Sequence, residues 1–282
     1  MPELPEVETV LRGLEPHLQN QKIIAIKTYR KDLRIPFPKD IKQTLEKAKI
    51  ISLKRRAKYI LINLDNDMIL SIHLGMSGSI QIITNGSNYD LLKHDHFEMT
   101  LSNNTRIIYN DSRRFGMIFT LSQDDLVNHK AFVHLGPEPL GNAFSAEILK
   151  NRLKGKTVSI KQALLDQTVV VGVGNIYACE ALYMTGLNPE KQAGKVSLNK
   201  LEDLVQSIRR VLSTAIEAGG STLKDHRQVD GTLGYFQHQF NVYDREALPC
   251  GQCDCNIGKT GGVKRIVQSG RSTFFCPPKQ KG

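Results

Sequence analysis

Pro2 and Glu3, directly after the initial methionine, are residues whose types can do covalent chemistry. Removal of Met1, common where a small residue follows, would leave Pro2 as a secondary amine. An α-amino group has a pKa of about 7.7 to 8, against about 10.4 for a lysine side chain, so part of it is an uncharged nucleophile at neutral pH. Such an amine attacks an aldehyde-like carbon and forms an iminium, with Glu3 beside it to transfer protons. The alternative is a terminal proline with no chemical role.

Four cysteines form a second group with chemical potential. They crowd into the last part of the chain, at Cys250, Cys253, Cys255 and Cys276. In a reducing cytosol such clustering indicates metal binding before disulfide formation. The fifth cysteine, Cys179, stands in an apolar stretch, where a buried structural thiol is expected.

The composition indicates the partners of these groups. Lys and Arg outnumber Asp and Glu 38 to 28, and the formal net charge of +10 favours a polyanionic partner. The chain of 282 residues, 40% of them hydrophobic, is long enough for two domains with their own cores. Its apolar runs end well short of a membrane span and no signal segment is recognisable, so we expect a cytoplasmic protein.

Turn residues and apolar spacing predict the elements that must position these groups. Pro5 suits the first turn of a helix, and apolar residues follow at helical spacing. From Lys22 to about Thr120, short β-like runs such as "KYILINL" and "RIIYN" alternate with Asn, Asp, Gly and Ser, which predicts a β-sandwich or flattened barrel. From about Ser145 the spacing becomes helical, as in "AEILKNRLKG" and "LNKLEDLVQSIRRVLSTAIEAG".

These changes along the chain predict an α+β fold with several domains. We expect a leading helix and β-sandwich domain at 1–130 and a linker at 131–144, where "HLGPEPLG" discourages regular structure. A helical domain would follow at 145–239, and a Gly-rich segment of turns and short strands at 240–282.

Seven motifs lie in order between residues 1 and 276: "MPELPEVET", "RRAKYILI", "HLGMSG", "DSRRFG", "LGPEPL", "LLDQTVVVGVGNIYACEAL" and "GRSTFFC". Together they make the chain resemble the formamidopyrimidine-DNA glycosylase family of repair enzymes. Several separate motifs in the family's order are far more specific than any one of them.

The resemblance implies a catalytic role for Pro2, Glu3, Lys58 and Arg271, and a place in the lesion pocket for Glu6. Pro2 would attack C1′ of a damaged deoxynucleotide, displacing the base and forming a Schiff base with the opened sugar. Glu3 would be the acid/base partner, and Glu6 would help order the same site. Lys58 would donate a proton during β-elimination, and Arg271 of "GRSTFFC" would reach the phosphates at the lesion.

The resemblance also implies a wedge that fills the space left by a flipped base, since an enzyme acting on a base must take it out of the duplex stack. Met76 of "HLGMSG", with Arg113 and Phe115 of "DSRRFG", corresponds to that wedge. An apolar side chain and a guanidinium suit the task. Ser112 stands where the family more usually has proline, which would loosen the loop.

A helix-two-turn-helix element is implied by "VVVGVGNIYACEAL". Exposed amides at a helix N-terminus bind phosphate. Asn175 and Tyr177 would lie at the DNA backbone and Glu180 near the lesion pocket, and further DNA contacts are implied at His94, Arg114, Lys156 and Lys161. The segment "GGSTLKDHRQVDG", with Ser221 and Thr222, would be a mobile loop covering the flipped base.

The family's last element is a zinc-finger-like β-hairpin held by four cysteines, and here the chain departs from the pattern. Lys279 stands where a fourth thiolate is expected, and a cation does not bind zinc. Either Cys250, Cys253, Cys255 and Cys276 supply four sulfurs to one zinc ion, three of them from one turn, or the hairpin folds with weak zinc or none through packing of Phe274 and Phe275.

The function implied is that of a monomeric base-excision repair enzyme acting on double-stranded DNA. It would remove oxidised purines, namely 8-oxoguanine and formamidopyrimidines, and then cleave the strand by β/δ-elimination as an AP lyase. The alternatives are a glycosylase for oxidised pyrimidines, like the related endonuclease VIII enzymes, and a non-catalytic protein that binds damaged DNA.

Overall fold

A computed structural model describes residues 2–84, 87–221, 229, 234–251 and 253–281. The chain forms two compact units. The first contains Met1–Val133 and Ala218–Tyr235, and the second contains His134–Glu217 and Phe236–Gly282. The segment 218–235, which we expected in the helical domain, groups with the first unit, where Ser221 hydrogen-bonds to Glu6.

The first unit begins with helix α1, Leu4–Leu18. Glu3 and Glu6 form a reciprocal capping box at its start, and Pro5 stands in its first turn. A capping box satisfies amides that have no partner inside the helix, which explains why the helix begins here. Its apolar face is buried through Leu4, Val7, Val10, Leu11, Leu14 and Leu18.

Two four-stranded antiparallel sheets complete the first unit, in the orders β1-β6-β7-β5 and β2-β3-β4-β8. The strands are β1 Ile23–Thr28, β2 Ile50–Arg56, β3 Tyr59–Leu64, β4 Met68–His73, β5 Ser79–Ile83, β6 Asp95–Leu101, β7 Arg106–Asn110 and β8 Met117–Ser122, with helix α2 at Ile41–Leu45. One apolar core joins both sheets to α1, including Ile26 and Phe97 from one sheet and Ile60 and Ile72 from the other. The predicted β-sandwich with a leading helix is confirmed.

The second unit is mainly helical and ends in a β-hairpin. Its helices are α3 Ala146–Leu153, α4 Ile160–Leu165, α5 Asn175–Thr185, α6 Leu198–Glu217 and α7 Ile257–Thr260, and its strands are β9 Lys264–Gln268 and β10 Arg271–Phe275. Ser145 and Ser159 cap α3 and α4 by accepting hydrogen bonds from backbone amides, which is what serine favours at a helix start. The predicted α+β fold class is confirmed. Within the described residues, every helix is too short or too polar to cross a membrane.

Candidate functional site

The start of α1 holds the predicted nucleophile region. Pro2 and Glu3 are buried. The backbone N–H of Glu3 donates to Glu6 Oε2 at 2.8 Å, and Glu6 Oε1 accepts from the N–H and the hydroxyl of Ser221, both at 2.9 Å. Glu6 therefore fixes the backbone next to Pro2 and ties it to residue 221. Thr222 and most of the predicted cover loop lie outside the described residues.

Lys58 lies in the tight turn between β2 and β3 and is 8% exposed. His73, which pairs with Tyr59 in the sheet, is the nearby group that the sequence analysis did not single out. Burial, and then the positive charges of Lys58 and Arg34, lower the pKa of His73 to about 4. The neutral ring accepts a hydrogen bond from Gly75 N–H at Nδ1, 3.1 Å away. Lys58 is thus one of several basic groups at this end of the sheet.

Two turns at the same end of the sandwich carry the predicted wedge. We call residues 74–78 the first wedge turn and residues 111–116 the second wedge turn. Met76 on the first is 39% exposed and Phe115 on the second is 43% exposed. The guanidinium carbon of Arg113 lies 5.0 Å from the centroid of the Phe115 ring, within cation–π range. Large apolar side chains held out into solvent beside a cation suit insertion into a base stack.

In the second unit, the N-terminus of α5 is set against the β-hairpin. Gly174 is the N-cap and Asn175 the first helical residue. Asn175 Nδ2 donates to the Ser272 carbonyl at 2.9 Å, next to Arg271 on β10. This hydrogen bond holds the exposed Arg271 close to the amides at the start of α5. A guanidinium beside helix N-terminal amides suits phosphate binding.

Glu180 is buried on α5 and accepts four hydrogen bonds. The donors are the N–H and side-chain amide of Asn241 and the N–H groups of Val242 and Tyr243, all at 2.9 Å. Four donors match the four lone-pair positions of a carboxylate. Glu180 thus holds the segment 241–243, and its role near the lesion stays a prediction.

Lys161 is fully buried at the start of α4. Its ammonium donates to Thr273 Oγ1 at 2.8 Å and to the Ser272 carbonyl at 3.2 Å. In this conformation Lys161 fixes the hairpin, and its predicted contact with DNA stays a prediction.

The remaining predicted DNA contacts occupy different surroundings. Arg114 is exposed with φ of 57°, and His94 is half-buried, with its ring 6.2 Å from that of His96. Lys156 pairs with Asp166 at 3.3 Å. Tyr177 is buried with its ring 5.7 Å from that of Phe236, so in this conformation its ring packs inside the second unit.

The four cysteines of the tail come together. The sulfurs of Cys250, Cys253, Cys255 and Cys276 all lie within 4.8 Å of one another. Zinc bound at about 2.3 Å to each of four thiolates requires sulfurs about 3.8 Å apart. Cys250 and Cys255 are 3.8 Å apart and Cys276 lies 3.3 to 3.6 Å from the other three sulfurs, whereas Cys250 and Cys253 are 2.8 Å apart. Four cysteine sulfurs in one cluster are the donor type that suits zinc. The structure also joins Cys253 to Cys255 as a disulfide, which is the alternative state because a disulfide sulfur is not a thiolate ligand.

Comparisons with known proteins agree with this geometry. The family model of the formamidopyrimidine-DNA glycosylase N-terminal domain matches residues 1–118, and that of the H2TH domain matches residues 135–227. The chain belongs to the formamidopyrimidine-DNA glycosylase family. A formamidopyrimidine-DNA glycosylase from Dinoroseobacter shibae is 50% identical over 288 residues, with 100% of both chains covered. The resemblance inferred from the motifs is confirmed.

Solved structures of this family align over the whole chain. A Lactococcus lactis Fpg mutant in complex with Fapy-dG-containing DNA has a TM-score of 0.89 at 33% identity, with 100% of both chains covered. The wild-type Lactococcus lactis Fpg with DNA containing an oxidized pyrimidine has a TM-score of 0.88 at 33% identity, again with 100% of both chains covered. Both neighbours are protein–DNA complexes.

Lys279 and Gln280 stand near the position where the resemblance implied a fourth cysteine, and both make contacts that hold the tail. Lys279 places its ammonium 4.1 Å from the centroid of the Tyr183 ring. The buried Gln280 accepts from Cys276 N–H at 2.8 Å and donates to the Leu187 carbonyl at 3.0 Å. These contacts hold the end of the chain against α5 without a thiolate at 279.

Sequence reasoning missed His73, Asp111 and Gln280 as organising residues. His73 and Asp111 stand inside the quoted motifs "HLGMSG" and "DSRRFG", so their place beside the wedge residues was a usable signal. Gln280 follows the cysteines directly, but nothing local marks it as buried.

Proposed function

We propose that the chain is a bifunctional DNA glycosylase and AP lyase that removes oxidised purines from duplex DNA. The observation that carries the proposal is the fixed start of α1. Glu6 holds the backbone of the buried Glu3 in place, directly after Pro2. A covalent catalyst needs its nucleophile held in one geometry, and membership of the glycosylase family supports this use of it.

In the proposed reaction, the Pro2 nitrogen attacks C1′ of the damaged nucleotide after removal of Met1. The new N–C1′ bond forms as the glycosidic bond breaks, and its electron pair leaves with the base, which takes up a proton. Loss of the nitrogen's proton and opening of the sugar give the Schiff base, with Glu3 transferring the protons these steps require.

Strand cleavage then follows from the electron-withdrawing Schiff base. A proton leaves C2′, its electron pair forms a double bond to C3′, and the C3′–O bond breaks so that the 3′ phosphate departs. Lys58 donates a proton in this elimination. The positive charges of Lys58 and Arg34 beside His73 give this end of the sheet a basic character suited to a DNA strand.

The test is reductive trapping. With borohydride and duplex DNA containing 8-oxoguanine, the wild type should form a covalent complex, and mass spectrometry should show that Met1 is absent. Pro2→Leu, which retains Met1, should lower trapping by more than about 100-fold. Pro5→Ala is the matched control, because Pro5 is a nearby proline in the first turn of α1, and it should trap normally.

Different results would favour the other two functions. Tight lesion binding by the wild type without trapping would favour a non-catalytic damage-binding protein. Excision of oxidised pyrimidines in preference to 8-oxoguanine and formamidopyrimidine would favour the endonuclease VIII-like alternative. A panel of duplexes with single oxidised bases separates these outcomes. A fully active preparation that retains Met1 would contradict the proposed nucleophile.

We also propose that one zinc ion binds to Cys250, Cys253, Cys255 and Cys276 when all four are reduced. The mutual approach of the four sulfurs supports this. Cys255 would then supply the fourth thiolate that Lys279 cannot. Zinc would supply a structural cross-link. Metal analysis should give one zinc per chain for the wild type, much less for Cys255→Ser, and an unchanged amount for Cys179→Ser. Absence of zinc with DNA cleavage intact would remove the metal from the function.

A further inference from the structure

Asp111 is fully buried where the two wedge turns meet. Its Oδ1 atom accepts from the hydroxyl of Ser77 on the first wedge turn at 2.5 Å, and its Oδ2 atom accepts from Gly116 N–H at the end of the second at 2.8 Å. Arg113 N–H donates to Ser77 Oγ at 3.1 Å and approaches Asp111 Oδ1 at 3.3 Å. One carboxylate is therefore shared by turns 34 residues apart in sequence.

The backbones of the two turns are in direct contact at this point. Gly75 has φ of +65°, and a Cβ atom on it would lie 2.4 Å from the backbone carbon of Phe115. A Cβ atom on Gly116 would lie 1.7 Å from the hydroxyl of Tyr109, which donates to Asp111 Oδ2 at 3.3 Å. Only glycine fits at either position, so the spacing between the turns is set by backbone packing and by the buried carboxylate.

We propose that Asp111 and Ser77 are positioning residues that hold Met76, Arg113 and Phe115 as one wedge. Neither acts on the DNA, and both act by fixing the distance between the two turns. This inference rests on the proposed base excision, which requires a wedge in the vacated stack. Displacement of a catalytic arrangement by about 1 Å can cost about 100-fold in rate.

The chemistry of Asp111 suits this role. An ionised carboxylate accepts hydrogen bonds through both oxygens, and bonds to a charged acceptor are about twice as strong as neutral ones. Ser112 lies between Asp111 and Arg113 and has no ring that would fix its φ, as a proline would. The loop is thus held by its buried hydrogen bonds instead of by ring closure.

The test compares two reactions of the same protein. Asp111→Ala should lower excision of 8-oxoguanine from duplex DNA by about 30-fold or more, because a displaced wedge cannot fill the stack. Borohydride trapping on a single-stranded oligonucleotide with an abasic site should stay within about threefold of wild type, since no stack has to be entered. Ser77→Ala, which removes one hydroxyl and is expected to fold, should show the same pattern at about fivefold.

Asp95→Ala is the matched control. Asp95 is a buried carboxylate of β6 that accepts hydrogen bonds from Tyr89, Leu92 and Asn110. None of these three donors lies in either wedge turn. Per folded molecule, it should excise 8-oxoguanine as the wild type does. In a Met76→Ala/Phe115→Ala background, Asp111→Ala should add little further loss, because the wedge it positions is already gone.

Two outcomes would overturn the proposal: full excision by both Asp111→Ala and Ser77→Ala, or an equal loss of excision and of single-strand trapping. Fluorescence of 2-aminopurine opposite the lesion reports wedge insertion without any chemistry. If the wild type inserts its wedge but does not trap, the proposed function fails, and the positioning role is then decided by whether Asp111→Ala loses the fluorescence change.

Discussion

Asp111 in the first unit and Glu180 in the second are both buried carboxylates that organise a loop, but they do so differently. Asp111 accepts from residues on two separate turns, including a serine hydroxyl, whereas Glu180 accepts from three consecutive residues, 241–243. A shared acceptor sets the distance between two segments. A carboxylate that accepts its hydrogen bonds from consecutive residues fixes the conformation of that segment. Here the segment is 241–243, which leads to the cysteine cluster. The first should control function and the second folding.

Removal of zinc from the cysteine cluster should have the largest effect on stability. It compares the second unit, which contains the cluster, with the first unit, which does not. A chelator should lower the thermal midpoint of the second unit by more than about 10 °C, because a structural zinc site contributes its binding energy to folding. The first unit, which takes its core from the β-sandwich, should unfold as before. Calorimetry with and without chelator measures both transitions, and identical scans would show that the tail folds by packing alone.

Glu180→Ala should cost about 4 kcal/mol, since the backbone amides of the buried Val242 and the half-buried Asn241 and Tyr243 lose their acceptor. Excision and single-strand trapping should then fall together as the second unit unfolds, in contrast with Asp111→Ala. Urea denaturation gives the loss of stability, and Glu202→Ala, an exposed glutamate on α6, is the control. If Glu180→Ala is as stable as wild type but loses excision alone, Glu180 belongs to the lesion pocket as first predicted.

His73 predicts a pH dependence within the first unit. Its pKa is about 4 in the folded protein against 6.5 ordinarily, so the unfolded chain binds more protons between these values and stability falls as pH falls through this window. Allowing for solvent screening, the loss is about 2 kcal/mol. His73→Gln, which keeps an acceptor for Gly75, should show a flatter stability curve from pH 6.5 to 4. An unchanged curve would mean that the pKa of His73 is the same in the folded and unfolded states.

Gln280→Ala should have the smallest effect, about 1.5 kcal/mol, because two buried hydrogen bonds are lost. The adjacent and exposed Lys281→Ala should be neutral. Denaturation should be measured in the presence and absence of zinc: the loss should be greater in the metal-free protein, where the end of the chain is held by Gln280 and Lys279 without the metal. An equal loss in both states would show that the two anchors act independently.

Several features could be predicted because their signals are local. The proline in the first turn and the apolar face of α1 lie within a few residues of one another. The wedge residues Met76 and Phe115 stood beside glycine-containing turns, and the structure leaves both exposed. The assembly of four sulfurs with three from one turn was one of two alternatives, and the structure brings all four together.

The sequence by itself determined the family, the sandwich followed by helices, and the residue types available for amine and thiolate chemistry. Only the tertiary structure decided that Asp111 joins two turns, that Glu180 accepts hydrogen bonds from residues 241–243, and that Lys161 donates to the hairpin. The reason is that periodicity and motifs report on neighbours in sequence. The partners of a buried charge are set by packing between segments far apart in the chain, and an unsatisfied buried group is too costly to persist.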